Sequence, residues 1–235
     1  MNSFIEFKNK IVSQPLNGLS IFLNPYSYLM LRKSDVIDKV DWIMIDGGLL
    51  LIILRIFGVK AKRASFDMTS MAPMVFNDSI QQEKEIYFIG SSEQNIVKFI
   101  KIIQANFPML KIKGYRNGYF SSENEKKHAV KEIADKKPDV VIIGMGTPLQ
   151  EQFLLTLKKK GWKGDGYTCG GFIHQTTTKL NYYPHFFNKY NLRWLYRMYD
   201  EPKLIKRYII NYPKSICLLI FDFVKASFEK KSQRH

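Results

Sequence analysis

The sequence VVIIGMGTPLQE, at Val140–Glu151, joins an apolar run to a helical pattern through a glycine turn. The apolar run is typical of a buried strand, and the spacing of Phe153 and Leu157 predicts a helix after the turn. Gly144 and Gly146 allow the backbone to approach a ligand closely. Because the N–H groups at a helix start are free to bind an anion, the turn predicts a phosphate site.

Two other structures fit the same turn. A strand-to-helix turn that binds nothing is common. A dinucleotide-binding turn needs a third glycine three positions after Gly146, where Leu149 stands, so a nicotinamide or flavin cofactor is not favoured. Gln150 and Glu151 place polar groups beside the turn, which suits the hydroxyls and diphosphate of a sugar nucleotide.

Short apolar runs alternate with helical patterns up to about residue 185. This alternation predicts a three-layer α/β domain with a mostly parallel sheet. The predicted strands are Leu19–Leu23, Trp42–Ile45, Ile86–Ile89, Lys111–Gly114, Val140–Ile143 and Tyr167–Cys169. The predicted helices are Tyr26–Arg32, Leu49–Ile56, Met68–Phe76, Glu93–Ala105, Glu123–Ala134 and Pro148–Lys159. Ligands of such sheets bind at the carboxyl ends of the strands, so the polar residues there are candidates for a site.

The last fifty residues follow a different pattern. We therefore divide the chain into a core, residues 1–185, and a basic, aromatic-rich helical appendage, residues 186–235. Breaks near Glu201-Pro202 and Tyr212-Pro213 separate the helices predicted for the appendage. These helices are Asn191–Tyr199, Pro202–Tyr212 and Ser215–Phe228.

The formal charge of +15 is concentrated in the last third of the chain, which holds 16 of the 36 Lys and Arg residues but only five of the 21 acidic ones. Such a surface attracts nucleic acid, anionic lipid or a phosphorylated substrate. Basic groups beside aromatic residues suit a membrane interface without a span. A helical cap packed on the core, or a contact between copies of the chain, fits the appendage nearly as well.

Several classes of protein are disfavoured by composition. Cys169 and Cys217 are too few for a disulfide framework, so a reducing compartment is expected. No transmembrane helix is expected, because no apolar run reaches about 18 residues. No secretory signal is expected either, because Met1–Gln14 has no long apolar core behind basic residues. No metal-binding spacing of Cys, His or Asp occurs, so we expect no metal site.

Asp46 follows the predicted strand Trp42–Ile45 and precedes Gly47 and Gly48. A carboxylate at this place can cap the following helix, which is the usual role of a lone aspartate. It can also act as a general base at the strand ends, where the glycines leave room for a substrate.

These features, in this order, resemble the WecG/TagA/CpsF glycosyltransferases, or glycosyltransferase family 26. The resemblance runs from about Ser20 to Tyr208. It rests on the Asp46-Gly47-Gly48 motif, Arg63, the Phe88-Ile89-Gly90 strand end, the Gly144–Glu151 turn and the Arg193–Tyr208 stretch.

The resemblance implies a Rossmann-like core and an inverting, metal-independent transfer of a sugar, N-acetylmannosamine or a relative, from a UDP donor. The acceptor it implies is a sugar on undecaprenyl diphosphate, in the synthesis of a bacterial capsule or exopolysaccharide. It implies no cofactor and no nucleic-acid partner. It also implies a peripheral location on an anionic membrane surface, at the inner face of the cytoplasmic membrane, with a homo-oligomer as a further possibility.

By motif match, Asp46 takes the position of the catalytic base. The resemblance assigns substrate binding to Asn24, Arg63, Gly144, Gly146, Gln150, Glu151, Arg193, Arg197 and Arg207. The chain departs from the family where Phe22 replaces a threonine. It departs again at Gln175–Lys179, where an arginine motif is absent and Lys179 is expected to supply the basic group.

Two functions of other classes remain open from the sequence. The charge and the interleaved aromatic residues are compatible with an RNA-binding or RNA-modifying protein. The departures at Phe22 and at residues 175–179 are compatible with a non-catalytic scaffold of a polysaccharide assembly complex, although Asp46 is retained.

Overall fold

The computed structural model describes residues 4–190 and 192–232. Within them, seven strands form one parallel sheet in the order β1-β3-β2-β7-β6-β4-β5. The strands are β1 (Ile11–Val12), β2 (Leu19–Leu23), β3 (Trp42–Ile45), β4 (Glu85–Gly90), β5 (Lys111–Arg116), β6 (Val140–Gly144) and β7 (Asp165–Thr168). This arrangement confirms the predicted Rossmann-like α/β fold.

Helices connect the strands and follow the last of them. Those of the core are α1 (Phe4–Asn9), α2 (Pro25–Leu31), α3 (Val36–Lys39), α4 (Gly48–Ile56), α5 (Met71–Gln81), α6 (Glu93–Asn106), α7 (Glu123–Lys136), α8 (Leu149–Lys159) and α9 (Phe172–Thr178). The appendage holds α10 (His185–Lys189), α11 (Arg193–Asp200), a 3-10 turn (Pro202–Leu204), a π-helical segment (Arg207–Asn211) and α12 (Tyr212–Ser232).

The sequence locates all six longer strands to within two residues at each end. It misses β1, α1, α3, α9 and α10, which have seven residues or fewer and therefore show little periodicity. The single helix predicted over Pro202–Tyr212 is wrong, because a 3-10 turn and a π-helical segment replace it. No helix break occurs at Pro213, because the π-helical segment runs into α12 without interruption. The predicted Asn191 and Arg234 lie outside the described residues.

Burial on both faces of the sheet explains the continuous apolar run of β6. All five of its residues are buried, as expected for a strand that has helices on either side. One face packs against α5, α6 and α9 through a cluster that includes Phe88, Phe99 and Phe172. The Phe99 ring meets the rings of Phe88 and Phe172 edge to face, with centroid distances of 5.2 and 5.4 Å.

The last helix packs against the beginning of the chain. Leu219 of α12 is fully buried in a cluster with residues of α1 to α4. The carboxylate of Asp222 accepts hydrogen bonds from the Tyr28 hydroxyl at 2.5 Å and from Arg32 Nε at 2.9 Å, both on α2 or at its end. Within the described residues, no helix is long and apolar enough to cross a membrane.

We expect Asp222→Ala to lower the free energy of unfolding by about 3 kcal/mol, because it removes the acceptor of a mostly buried ion pair and leaves the Tyr28 hydroxyl without its partner. Asp135→Ala is the matched control, since its pair with Lys131 is largely exposed and should contribute less than about 1 kcal/mol. Urea unfolding of both variants measures the difference. Equal losses would mean that Asp222 does not anchor α12.

Candidate active site

Two adjoining cavities lie at the carboxyl ends of the strands. The turn cavity, about 450 Å³, borders the Gly144–Gln150 turn and the Cys169–Gly171 loop. The appendage cavity, about 440 Å³, lies between α4 and the appendage. The residues that line both are Asn24, Asp46, Tyr183, Arg197 and Arg207. Each cavity is therefore large enough for a sugar or nucleotide-sized group, and Asp46 is accessible from both.

The local structure separates the two roles open to Asp46. Asp46 follows β3, and its backbone N–H donates to Leu23 O at 2.8 Å, which holds it beside the end of β2. Gly47 is the N-cap residue of α4, and no side chain caps this helix. Asp46 is therefore not a helix cap. A Cβ on Gly47 would lie 2.8 Å from Pro25 Cδ, so this glycine allows close packing against α2 instead of making room for a substrate.

The carboxylate of Asp46 borders both cavities, with 39% of its side-chain surface accessible. Burial raises its pKa, and the guanidinium of Arg63, whose Nη1 lies 3.9 Å from Oδ1, opposes this effect. A carboxylate with a raised pKa is a stronger base than an exposed one. The geometry therefore suits proton abstraction from a hydroxyl in either cavity.

Asn24 lies beside Asp46 as the N-cap residue of α2. Its Oδ1 accepts the Ser27 N–H at 3.1 Å, and Ser27 Oγ in turn accepts the Asn24 N–H at 2.8 Å. Because this capping box occupies the oxygen, the amide nitrogen of Asn24 is the group that can donate to a ligand.

The two glycines of the turn serve different purposes. Gly146 has φ +77°, a conformation that favours glycine, and a Cβ there would meet nothing within 4 Å. It borders the turn cavity and leaves it open. A Cβ on Gly144 would lie 2.9 Å from Cys169 Sγ, so Gly144 is required by packing against the neighbouring strand end and not by a ligand.

Close packing of glycines continues along the strand ends. A Cβ on Gly90, which has φ +150°, would lie 2.3 Å from Gly144 O. A Cβ on Gly118 would lie 2.9 Å from Gly90 Cα. The backbones of three successive strand ends therefore touch one another directly at the edge of the turn cavity.

Gln150 and Glu151 form an internal hydrogen-bond network. Glu151 Oε1 accepts from Thr147 Oγ1 at 3.1 Å and from Gln150 Nε2 at 2.8 Å, and Gln150 Oε1 accepts the Gly170 N–H at 3.1 Å. Glu151 is fully buried and lines neither cavity, and burial raises its pKa. Gln150 borders the turn cavity. The pair thus links the turn to the Cys169–Gly171 loop. Glu151 supports this turn and does not reach either cavity.

Arg193 is buried and bound entirely by protein groups. It donates to Asn188 Oδ1 from Nε at 2.8 Å and from Nη2, to Ser65 Oγ at 3.0 Å and to Asp67 from Nη1, and to Thr69 Oγ1 from Nη2. These contacts use all five N–H donors of the guanidinium. None is left for a phosphate, so the structure makes Arg193 an anchor of the appendage.

The ion pair between Arg193 and Asp67 is almost dry, with 8% and 12% of the two side chains exposed. Burial acts to raise the pKa of Asp67, but Arg193 and hydrogen bonds from Ser65 and Thr69 outweigh it, and the pKa is lowered. Asp67 is therefore charged, and the appendage is held on the core by a buried pair of opposite charges.

Three other arginines surround Asp46 with donors available. Arg63 lines the appendage cavity, and its only described ion pair is the 3.9 Å contact with Asp46. Arg197 donates to Glu201 Oε1 at 2.6 Å, while its buried Nε has no partner in the described residues. Arg207 lies over the Tyr26 ring, 3.7 Å from its centroid. Such planar donor groups suit the oxygens of a diphosphate.

The structure does not bring Lys179 to this cluster. Lys179 follows α9, is exposed, and lines neither cavity. Three residues that the sequence analysis missed do line the turn cavity: Tyr183, Lys203 and His174. Lys203 belongs to the basic stretch of the appendage and could have been found there, whereas no local motif marks Tyr183 or His174. In the ranges 4–190 and 192–232, no group of three or more His, Cys, Asp and Glu side chains is placed to hold a metal ion.

Comparison with known proteins identifies the family of the chain. The model of the Glycosyl transferase WecG/TagA/CpsF family matches residues 1–229. The chain belongs to this family. The predicted resemblance and the predicted glycosyltransferase class are thereby confirmed.

Relatives in the WecG/TagA/CpsF family act on lipid-linked sugars. The chain is 37% identical, over 97% of its length and 96% of the relative's, to a Shigella boydii UDP-Gal:alpha-D-GlcNAc-diphosphoundecaprenol beta-1,4-galactosyltransferase. It is 24% identical to an N-acetylglucosaminyldiphosphoundecaprenol N-acetyl-beta-D-mannosaminyltransferase of Bacillus spizizenii, over 89% of this chain and 77% of the relative. A Bacillus subtilis protein with the same description is also 24% identical, over 100% of this chain and 92% of the relative. Nothing in these relatives supports the RNA-binding or scaffold alternatives.

We expect Asp46→Asn to retain the fold and the affinity for UDP, but to slow sugar transfer by roughly 10²-fold or more, because only the base is lost. In the unmodified protein the rate should fall as acid protonates Asp46. Since burial raises its pKa, this fall should begin at a higher pH than for an exposed aspartate. The residual rate of Asp46→Asn should not show this fall at low pH. Near-normal turnover in a folded Asp46→Asn protein would exclude the role.

We expect Gly146→Ala to weaken UDP binding about tenfold, equivalent to about 1.4 kcal/mol, because its methyl group would enter the turn cavity. Gly161→Ala is the matched control: Gly161 has φ +90°, a Cβ there also meets nothing within 4 Å, and it lies away from both site cavities. Both changes should cost a similar 1–2 kcal/mol or so of stability through the left-handed backbone. Calorimetric titration with UDP distinguishes them, and equal affinities would place the nucleotide elsewhere.

Proposed function

We propose that this chain transfers a hexose, with galactose as the first choice, from a UDP-sugar to a sugar linked to undecaprenyl diphosphate. The observation that carries the proposal is the position of Asp46 in the wall shared by two cavities, surrounded by Arg63, Arg197 and Arg207. A glycosyl transfer needs a donor and an acceptor on either side of one base. The lipid-linked acceptor is the one named for the relatives.

In the proposed reaction the donor occupies the turn cavity and the acceptor occupies the appendage cavity. Asp46 takes the proton of an acceptor hydroxyl as its oxygen bonds to the anomeric carbon, on the face opposite the diphosphate. The bond from that carbon to the diphosphate oxygen breaks, and its electron pair leaves with UDP. One displacement of this kind inverts the anomeric configuration.

Stabilisation of the departing diphosphate is assigned to positive groups of the protein. Arg197, Arg207 and Lys203 line the turn cavity, as does the turn that carries Gly146. Guanidinium groups and backbone N–H groups aimed at developing charge are a large source of catalysis in a site shielded from water. We therefore propose a reaction that requires neither a metal ion nor an organic cofactor.

Galactose is favoured as the donor sugar by the degree of similarity. The galactosyltransferase relative is 37% identical over nearly the whole of both chains, whereas the two N-acetylmannosaminyltransferases are 24% identical. N-acetylmannosamine, which the family resemblance implies, is the second candidate. The product would be an intermediate of a bacterial surface polysaccharide.

A peripheral location on an anionic membrane completes the proposal. Aromatic residues of the appendage are exposed, among them Trp194 at 43% and Tyr199 at 86%. Lys206 and Lys214 of the appendage are exposed too. Such a surface attracts anionic lipid with about 1 kcal/mol per basic group, so binding to anionic vesicles should fall as salt is added.

The decisive experiment offers the protein UDP-galactose, UDP-N-acetylmannosamine and UDP-N-acetylglucosamine, each with N-acetylglucosamine linked to undecaprenyl diphosphate, with and without EDTA. We expect fastest transfer from UDP-galactose, a product of β configuration from the α-linked donor by NMR, and no loss of rate in EDTA. Asp46→Asn serves as the control for background hydrolysis. Retention of configuration would exclude a single displacement, and transfer from none of the donors would contradict the proposed activity.

A further inference from the structure

Two helices leave the appendage cavity side by side. Leu49 and Ile52 of α4 line this cavity, as do Pro213 and Ile216 of α12. Both helices thus begin at the cavity and run away from it. Farther along, the ring of Phe57, just after α4, stacks on Phe223 of α12 with centroids 4.0 Å apart and planes within 2°. The two helices are therefore neighbours at both points.

Both helices carry exposed apolar side chains. On α4, Ile52 is 55% and Ile56 is 75% accessible, and on α12, Ile220 and Val224 are 44% and 43% accessible. We call these four side chains the apolar groove. Ile56 and Ile220 each lie one helical turn beyond a residue that lines the appendage cavity, Ile52 and Ile216, so both helices carry apolar side chains away from it. Grouped apolar side chains on a surface mark a binding site more often than isolated ones do.

The chemical groups along this path follow the direction of α4. Asp46 lies just before the N-cap of this helix, with Arg63 Nη1 3.9 Å from its Oδ1, and the apolar side chains of α4 follow. From Leu49 to Ile56 the helix adds about 10 Å of further apolar surface. A hydroxyl-bearing sugar, a diphosphate and a hydrocarbon chain are joined in this same order in a lipid-linked sugar.

We propose that the apolar groove binds the first part of the polyprenyl chain of the acceptor, as that chain leaves the appendage cavity. This inference rests on the proposed function, because it assumes a lipid-linked acceptor. A bilayer and a second copy of the chain are the other occupants that an apolar surface admits. Continuity of the groove with the cavity that contains Asp46 favours the acceptor chain, since neither of the others has to reach the base.

The test compares two ligands that share a diphosphate, undecaprenyl diphosphate and hexyl diphosphate, in one detergent solution. Binding is followed by the fluorescence of Trp194, which lines the appendage cavity. The double variant Ile56→Gln, Ile220→Gln alters side chains of the apolar groove that are exposed and line neither cavity. Its matched control is Met74→Gln, Met109→Gln, whose side chains are 48% and 74% exposed and line neither cavity.

We expect the unmodified protein and the control to bind undecaprenyl diphosphate at least about tenfold more tightly than hexyl diphosphate. The groove variant should lose most of this preference and bind hexyl diphosphate unchanged. With UDP-galactose present, its KM for the long-chain acceptor should rise at constant kcat.

Three results would overturn the proposal. The first is an undiminished preference for the long chain in the groove variant. The second is a variant that loses only vesicle binding, which would assign the groove to the bilayer. The third is a change of mass in sedimentation, which would assign it to a second copy. The binding measurement uses no sugar donor. A protein that binds the long chain and transfers no sugar would therefore refute the proposed function and still support the groove as the binding site of the chain.

Discussion

The buried ion pair between Arg193 and Asp67 fixes the position of the appendage. Asp67 belongs to the core, downstream of β3, whereas Arg193 begins the first long helix of the appendage. Because both side chains are almost dry and fully hydrogen bonded, other orientations of the appendage would leave charges buried without partners. Arg197 lies one helical turn beyond Arg193, and the rest of the appendage follows. The positions of Arg197 and Arg207 near Asp46 therefore depend on this ion pair.

Much of the fold follows from local sequence because the sheet is parallel. Strands buried on both faces are continuous apolar runs, and β2, β3 and β6 are easily recognised for that reason. Short elements such as β1 and α3 have too few residues to show a period. Their structure is imposed by pairing and packing, which a local pattern does not contain.

The residues of the candidate site also divide into those that local sequence locates and those that it does not. Asp46, Asn24 and the Gly144 turn follow strands directly, and the topology of a parallel sheet brings them to one edge. Residues of the appendage are different, because their positions depend on tertiary contacts. Arg193 and Arg197 are the same residue type, one helical turn apart. All N–H donors of Arg193 bind protein groups, whereas Arg197 lines both cavities. Only the partners distinguish them, and these lie far away in the chain.

The touching backbones of Gly90, Gly118 and Gly144 limit how this edge of the sheet can evolve. A side chain added at one of them displaces the next strand end, so the cost of a change depends on which residues stand at the other two. Substitutions at such contacts do not combine additively. New specificity is therefore more accessible through residues such as Phe22 and Tyr183, which border the turn cavity outside this contact. A side chain at any one of the three glycines therefore requires compensating changes at its neighbours.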